Sequence, residues 1–193
     1  MKMLLTTISI ILFVLAIITI FKVVELKNIK YSNPEFLSSK NTLIVYYSNG
    51  GNTKSVAQKL HDIIGGDIKE IQLKETYPKN LFTMSKIIRK QIKQGYLPDI
   101  EKIDISSYDV IFVCSPIWNF SISLPIKSFL TANNFENKTI IPCFTYSGGA
   151  NKNKIIKEIK DLTKAKDITK PLFMFENGII LTEEQIKRWL NNI

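Results

Sequence analysis

A chain of 193 residues with 45% hydrophobic and 22% charged residues has the composition of one folded domain with appendages. That length buries a core without disulfides, and the two cysteines, Cys114 and Cys143, sit in apolar runs without metal-ligand spacing. This argues against a disulfide scaffold and a cysteine-based metal site, and predicts two buried, unpaired thiols. The net charge of +9 admits an acidic partner or anionic lipid, and also a plain Lys-, Ile- and Asn-rich bias.

The first segment is the most distinctive. No charged residue lies between Met3 and Phe21, and Ile, Leu, Val and Phe dominate. At about 1.5 Å per residue, the run from 3 to 24 spans roughly the 30 Å apolar thickness of a bilayer. A cleaved signal would have a shorter apolar stretch and small residues at its end. This run ends Ile18-Thr19-Ile20-Phe21-Lys22, and no cysteine lies near it for lipid attachment. A core helix would show a polar face, which scattered Thr and Ser do not make. The reading is a retained single-pass anchor over residues 1–25, with a signal peptide as its rival. Lys22, Lys27 and Lys30 after the run outweigh the amino terminus and Lys2 by about one charge, which tips the domain toward the cytoplasm. Residues 26–41, with Pro34 and several Ser and Asn, read as a linker. Residues 42–193 form the domain.

In the domain, strand and helix patterns alternate. Thr42–Tyr47 reads as a strand. Asn52–Ile64 has helical spacing at Val56, Ala57, Leu60 and Ile64 and ends at Gly65-Gly66. Asp67–Leu73 alternates as a half-buried strand does. Leu81–Gln94 is an amphipathic helix with Lys86, Arg89, Lys90 and Lys93 on its polar face. Val110–Cys114 is a fully apolar strand, Ile126–Leu130 a helix, and Thr139–Phe144 an apolar strand interrupted only by Pro142. Lys154–Leu162 is a helix, Leu172–Phe175 a last strand and Thr182–Leu190 a final helix. Such alternation predicts an α/β domain with a doubly wound, five-stranded parallel sheet, strand order 2-1-3-4-5. Ligands of these sheets bind beyond the carboxyl ends of the strands, at the switch point.

Three loops fall there. The first is Ser48-Asn49-Gly50-Gly51-Asn52-Thr53, between a strand and a helix. Two glycines let the backbone approach a ligand closely, and the helix start points free N–H groups at it. The hydroxyl and amide donors suit a terminal phosphate; the bland alternative is a plain N-cap. A nucleotide-hydrolysing loop of the form G-x-x-x-x-G-K-[ST] does not fit. The register ending in Lys54-Ser55 puts Ser48 and Thr53 at the glycine positions. The second loop, Ser115-Pro116-Ile117-Trp118-Asn119-Phe120-Ser121, places two aromatic faces where a planar ligand could stack, or where Trp118 simply caps the core. The third, Tyr146-Ser147-Gly148-Gly149-Ala150-Asn151, again permits close approach. A phosphate nest beside a slot for a flat ring outlines FMN.

Beyond these loops, Tyr77-Pro78, Leu97-Pro98-Asp99-Ile100, Tyr108-Asp109-Val110-Ile111 and Leu124-Pro125-Ile126-Lys127-Ser128-Phe129-Leu130 complete a pattern from about Asn41 to the C-terminus. Together with the three loops and Gln185-Ile186-Lys187-Arg188-Trp189-Leu190, it resembles the flavodoxin family. Ser48–Thr53 is similar to the family's S-x-T-G-N-T phosphate loop, and Pro116-Ile117-Trp118 to its P-x-W loop. The resemblance implies a flavodoxin-like fold and non-covalent FMN. Its phosphate would lie on Ser48, Asn49, Gly50, Gly51, Asn52 and Thr53. Its ring would lie against Pro116, Ile117, Trp118, Asn119 and Phe120 and the loop Ser147, Gly148, Gly149 and Ala150. Gly50 stands where a Thr or Ser is usual, and Asn119-Phe120 replaces a small or glycine-rich stretch.

Electron transfer through FMN asks for no side-chain acid, base or nucleophile, and the only histidine, His61, falls in a helix. The expected function is a membrane-tethered FMN electron-transfer protein whose partner is a redox protein or a quinone. One alternative is an NAD(P)H- or quinone-dependent FMN oxidoreductase on the same fold. Another is a tethered binding module that has lost FMN, with Gly50 and Asn119-Phe120 as its marks. Nucleic-acid binding rests only on the basic helix and is not expected.

Overall fold

The computed structural model describes residues 11–17, 37, 40–175 and 182–193. Residues 11–17 are helical with exposed side chains. Among the described residues no helix is long and apolar enough to cross a membrane. Most of the predicted anchor (1–25) and linker (26–41) lies outside the described residues.

The β-branched run at the domain's start becomes β1 (Thr42–Tyr46), and the first helical pattern becomes α1 (Asn52–Ile64). Gly66 makes the return to the sheet possible. It sits at φ +84, and a Cβ there would stand 2.7 Å from the Thr42 carbonyl oxygen. There follow β2 (Asp67–Glu70) and α2 (Leu81–Gln94). Asn80 caps α2 by accepting from the Thr83 N–H, and Gly95 ends it in the left-handed region. Then come β3 (Val110–Trp118), β4 (Ser121–Ile122), α3 (Leu124–Ala132), β5 (Thr139–Tyr146) and α4 (Lys152–Thr163). Two short strands, β6 (Asp167–Ile168) and β7 (Leu172–Phe175), precede α5 (Glu183–Leu190), which starts with a capping box between Thr182 and Gln185.

Side chains of β1, β3 and β5 alternate between two cores, as period-2 strands must. Ile44, Phe112, Cys114, Ile141 and Cys143 face α1 and α5 through Ala57, Leu60, Ile186 and Leu190. Leu43, Val45, Ile111, Val113 and Ile140 face α2, α3 and α4 through Ile88, Ile126, Phe129, Ile155 and Ile159. The doubly wound architecture is therefore as expected, and both cysteines are buried and free.

Among the described residues the sheet has seven strands rather than five. Its path is β2-β1-β3-β5-β6, with β4 paired to β3 and β7 paired to β5. The central pairings are parallel, while β4 folds back antiparallel, with Ile117 opposite Ile122 and Trp118 opposite Ser121. Since β5 gives its other edge to β3, β6 and β7 share one outer position, which the sequence reading assigns to a single strand. The interruption has a chemical cause. The Ile140 carbonyl accepts from the Thr169 N–H, so Pro142, two residues on, turns its donorless nitrogen to the same edge. Pro171 opposes it with no donor either, and the Lys170 carbonyl is taken by Trp189 Nε1 at 3.1 Å.

Candidate functional site

At the carboxyl ends of β1, β3 and β5 a cleft of about 500 Å³ opens. Its walls include Ser48, Asn49, Gly50, Asn52 and Thr53 from the first loop, Pro116, Ile117 and Trp118 from β3, and Ser147 after β5.

The first loop leaves β1 and turns into α1 at Gly51, whose φ of 93 only glycine adopts freely. No side chain caps α1, and its first turn brings Asn52 and Thr53 to the cleft wall, where the positive end of the helix lies. The Ser48 hydroxyl accepts from the Gly51 N–H at 3.0 Å, which leaves its own proton to donate. Asn49 Nδ2 reaches the Met84 sulfur at 3.1 Å and ties the loop to α2. The Thr53 hydroxyl is already committed. It is buried and meets the Thr145 hydroxyl at 2.8 Å. Lys54, beside the loop, pairs with Glu70 at 3.2 Å. A Cβ at Gly50 would meet nothing within 4 Å, so packing does not demand glycine there.

The second wall is an indole held by two phenols. Trp118 meets Tyr47 edge-on at a centroid distance of 5.5 Å and Tyr77 at 5.0 Å. Burial pushes both phenols up, that of Tyr77 to about 12. They stay neutral and apolar-faced over the physiological range. Pro116–Trp118 is strand rather than loop, because β4 pairs back onto it. The hairpin turn is only Asn119-Phe120, at φ 49 and 62, the left-handed pair that a two-residue hairpin requires. Behind the turn, Glu158 accepts from the Ser121 hydroxyl and the Ile122 N–H and pairs with Lys127. Ser115 and Ser123, both buried, bond to each other at 3.1 Å. The hairpin is thus fixed by side chains far from the cleft.

Not every expected residue lines this cleft. Gly51 shapes the turn without lining it. Phe120, Gly149 and Ala150 line a separate, open hollow with Asn151, Lys152 and Asn153. The Phe120 ring lies over Gly149, where a Cβ would come within 2.5 Å of Cε1. Asn119 and Gly148 line neither. Conversely, Lys79, Leu81, Met84, Thr145 and Tyr146 join the cleft wall. Tyr146 opens the third loop named above, and Thr145 could have been found beside it at the end of an apolar strand. Lys79, Leu81 and Met84 arrive from the start of α2, and no local motif marks them.

A model of flavodoxins matches residues 41–193. The chain belongs to the flavodoxin family. Among solved structures it is similar to a candidate flavoprotein from Bacteroides eggerthii DSM 20697. The two share 25% identity over 80% of this chain and 98% of that one, with a TM-score of 0.64. A flavoprotein from Lactobacillus acidophilus NCFM, solved in complex with FMN, shares 24% identity over 72% of this flavodoxin and 96% of its own length, with a TM-score of 0.58. An NADH:FMN oxidoreductase, at 13% identity and a TM-score of 0.50, shares the fold. No curated protein matches the chain.

The residues present fit FMN. The uncapped helix start and the Ser48 proton offer donors to a phosphate, and the indole bounds a slot beside them.

Proposed function

We propose that this flavodoxin holds FMN non-covalently in the cleft and passes electrons while tethered to a membrane by residues 3–24. Family membership supports the cofactor. The observation that carries the reading is that the uncapped start of α1 and the Trp118 indole wall one and the same cleft. The phosphate would rest on the Ser48–Thr53 turn, and the ring against Trp118. When bound, FMN supplies the redox chemistry and accepts or releases one or two electrons. The chain's own residues do the rest. Ser48 and the first-turn N–H groups of α1 anchor the phosphate end. Tyr47 and Tyr77 brace the indole, and the buried Thr145 and Met84 close the inner wall, with Leu81 at the rim. The electron partner is a redox protein or a quinone. Nucleic acid is not a partner in this reading. The charge-free stretch from Met3 to Phe21 supports the tether.

The test is to purify the full chain in detergent, add FMN and record the visible spectrum and flavin fluorescence. One FMN per chain is expected, with affinity reduced roughly tenfold in Trp118→Ala and less in Trp118→Phe. A chain that stays colourless with added FMN would overturn the reading in favour of a module that has lost the cofactor. Turnover with NADPH and a quinone separates the remaining possibilities. Fast turnover identifies an oxidoreductase, whereas reduction only through a separate reductase identifies a carrier.

A further inference from the structure

Helix α2 carries a surface that holding FMN does not require. Phe82, Lys86, Arg89 and Lys93 recur at helical spacing, which puts them on one stripe, while Met84 and Ile88 on the opposite side are buried. The helix contains no acidic residue. Among the described residues, none of Lys86, Arg89, Lys90 and Lys93 stands within ion-pair distance of a carboxylate. The nearby pair Lys74–Asp99 flanks a hollow on the side of Ile87 and Gln91, off the stripe. At the head of the stripe two large apolar side chains face solvent, Leu81 at 73% and Phe82 at 70% exposure. Lys86 Nζ lies 4.4 Å over the Phe82 ring. Leu81 also lines the cleft, so this end of the stripe is the cleft's rim.

We infer that the α2 stripe docks on an anionic lipid surface, with Leu81 and Phe82 entering the interface. Cations without carboxylate partners in a straight row, headed by exposed apolar side chains, are the pattern of an interfacial helix. The stripe from Phe82 to Lys93 is about 16 Å long, and a row of that length suits a plane of head groups better than a single acidic site. The choice of lipid over an acidic protein rests on the tether proposed above, since a linker over 26–41 reaches at most about 55 Å from the bilayer. Docking sets the cleft mouth against the apolar boundary. The substrate class that can enter from there is an amphiphilic, lipid-dissolved quinone rather than a water-soluble carrier.

The experiment uses the full chain with Phe82→Cys carrying an environment-sensitive fluorophore. Cys114 and Cys143 are buried, so the label goes to position 82. The chain is reconstituted in vesicles of phosphatidylcholine alone or with phosphatidylglycerol. A blue shift is expected only with phosphatidylglycerol. It should disappear at about 1 M salt, where the Debye length is about 3 Å. Each Lys or Arg changed to Gln among Lys86, Arg89, Lys90 and Lys93 should lower the docked fraction's equilibrium constant roughly fivefold. Equal emission in both vesicles, or a shift that survives all four substitutions, would overturn the inference, and equal emission would leave the stripe to an acidic protein. In parallel, unlabelled chain should show slower hydrogen exchange at the start of α2 in the anionic vesicles. Flotation with phosphatidylcholine vesicles reads the tether separately, and bound-flavin absorbance reads the cofactor. Flotation with phosphatidylglycerol alone would support docking while removing the tether.

Discussion

The hydroxyls of Thr53 and Thr145 meet at 2.8 Å in a buried contact that pins the start of α1 to the end of β5. The two residues are far apart in sequence, yet their bond fixes how the Ser48–Thr53 turn sits against the third loop. Thr145→Val removes one partner and leaves the Thr53 hydroxyl buried and unsatisfied. The expected loss is about 1–3 kcal/mol, read from urea unfolding. The double variant Thr53→Val with Thr145→Val should cost less than the sum of the single ones, because no polar orphan remains. Strict additivity would show that the contact is not a coupled pair.

Gly50 offers a gain of function. Its φ lies outside the left-handed region, and a Cβ there meets open space, so a larger residue fits without strain. Gly50→Thr restores the hydroxyl that the family pattern usually carries at this position. A further donor to a phosphate should tighten FMN about tenfold. Gly50→Ala, which adds only a methyl, should leave affinity unchanged. A fluorescence titration of the three proteins decides the matter. Equal affinities would mean that the phosphate does not pass near position 50.

The sequence made the layers readable because each carries its own period. The helix at Asn52–Ile64 and the helix at Leu81–Gln94 appear with the bounds that their apolar spacing predicts. What stayed hidden depends on pairing between distant segments. β4 is two residues long and exists only because it folds onto Ile117 and Trp118. The division of the outer strand follows from Pro142 and Pro171 facing one edge, which requires knowing the register. In the cleft, Ser48 and Ser147 were legible from glycine-bearing turns at strand ends, and Trp118 from the aromatic pair placed where an apolar strand ends. Lys79, Leu81 and Met84 were not, since Met84 also fits the apolar face of an ordinary helix. Phe120, Gly149 and Ala150 belong to the third-loop hollow because the Phe120 ring lies over Gly149.

That turn stores strain. Asparagine tolerates the left-handed region, but phenylalanine at φ 62 does not do so readily. Phe120→Gly should therefore stabilise the domain by about 1 kcal/mol, since the ring is half exposed and little burial is lost. Gly149→Ala, by contrast, pushes a Cβ against the Phe120 ring and should cost about 1 kcal/mol. In the Phe120→Gly background that cost should vanish. Thermal unfolding of the four proteins closes the cycle, and a penalty for Gly149→Ala that persists without the ring would place the clash elsewhere.

The buried phenols make stability fall at high pH, and Tyr46 and Tyr77 do so within a measurable window. Burial, and then the hydrogen bond to Glu70, push Tyr46 from 10.0 to about 12. Burial, reinforced by Tyr96 and opposed by the Gln91 bond, pushes Tyr77 from 10.0 to about 12. A raised value means that the unfolded chain releases these protons first. Their contribution is thus complete below about pH 10 and is lost as pH rises toward 12. Each unit of separation is worth about 1.4 kcal/mol per group. The urea midpoint should drop across that window, and the drop should be shallower in Tyr46→Phe and Tyr77→Phe, which have no proton to lose. Tyr77→Phe keeps the edge-on contact with Trp118, so FMN affinity at neutral pH should change little. A wild-type profile that matches the Tyr77→Phe profile between pH 10 and 12 would mean that Tyr77 ionises as easily in the fold as outside it.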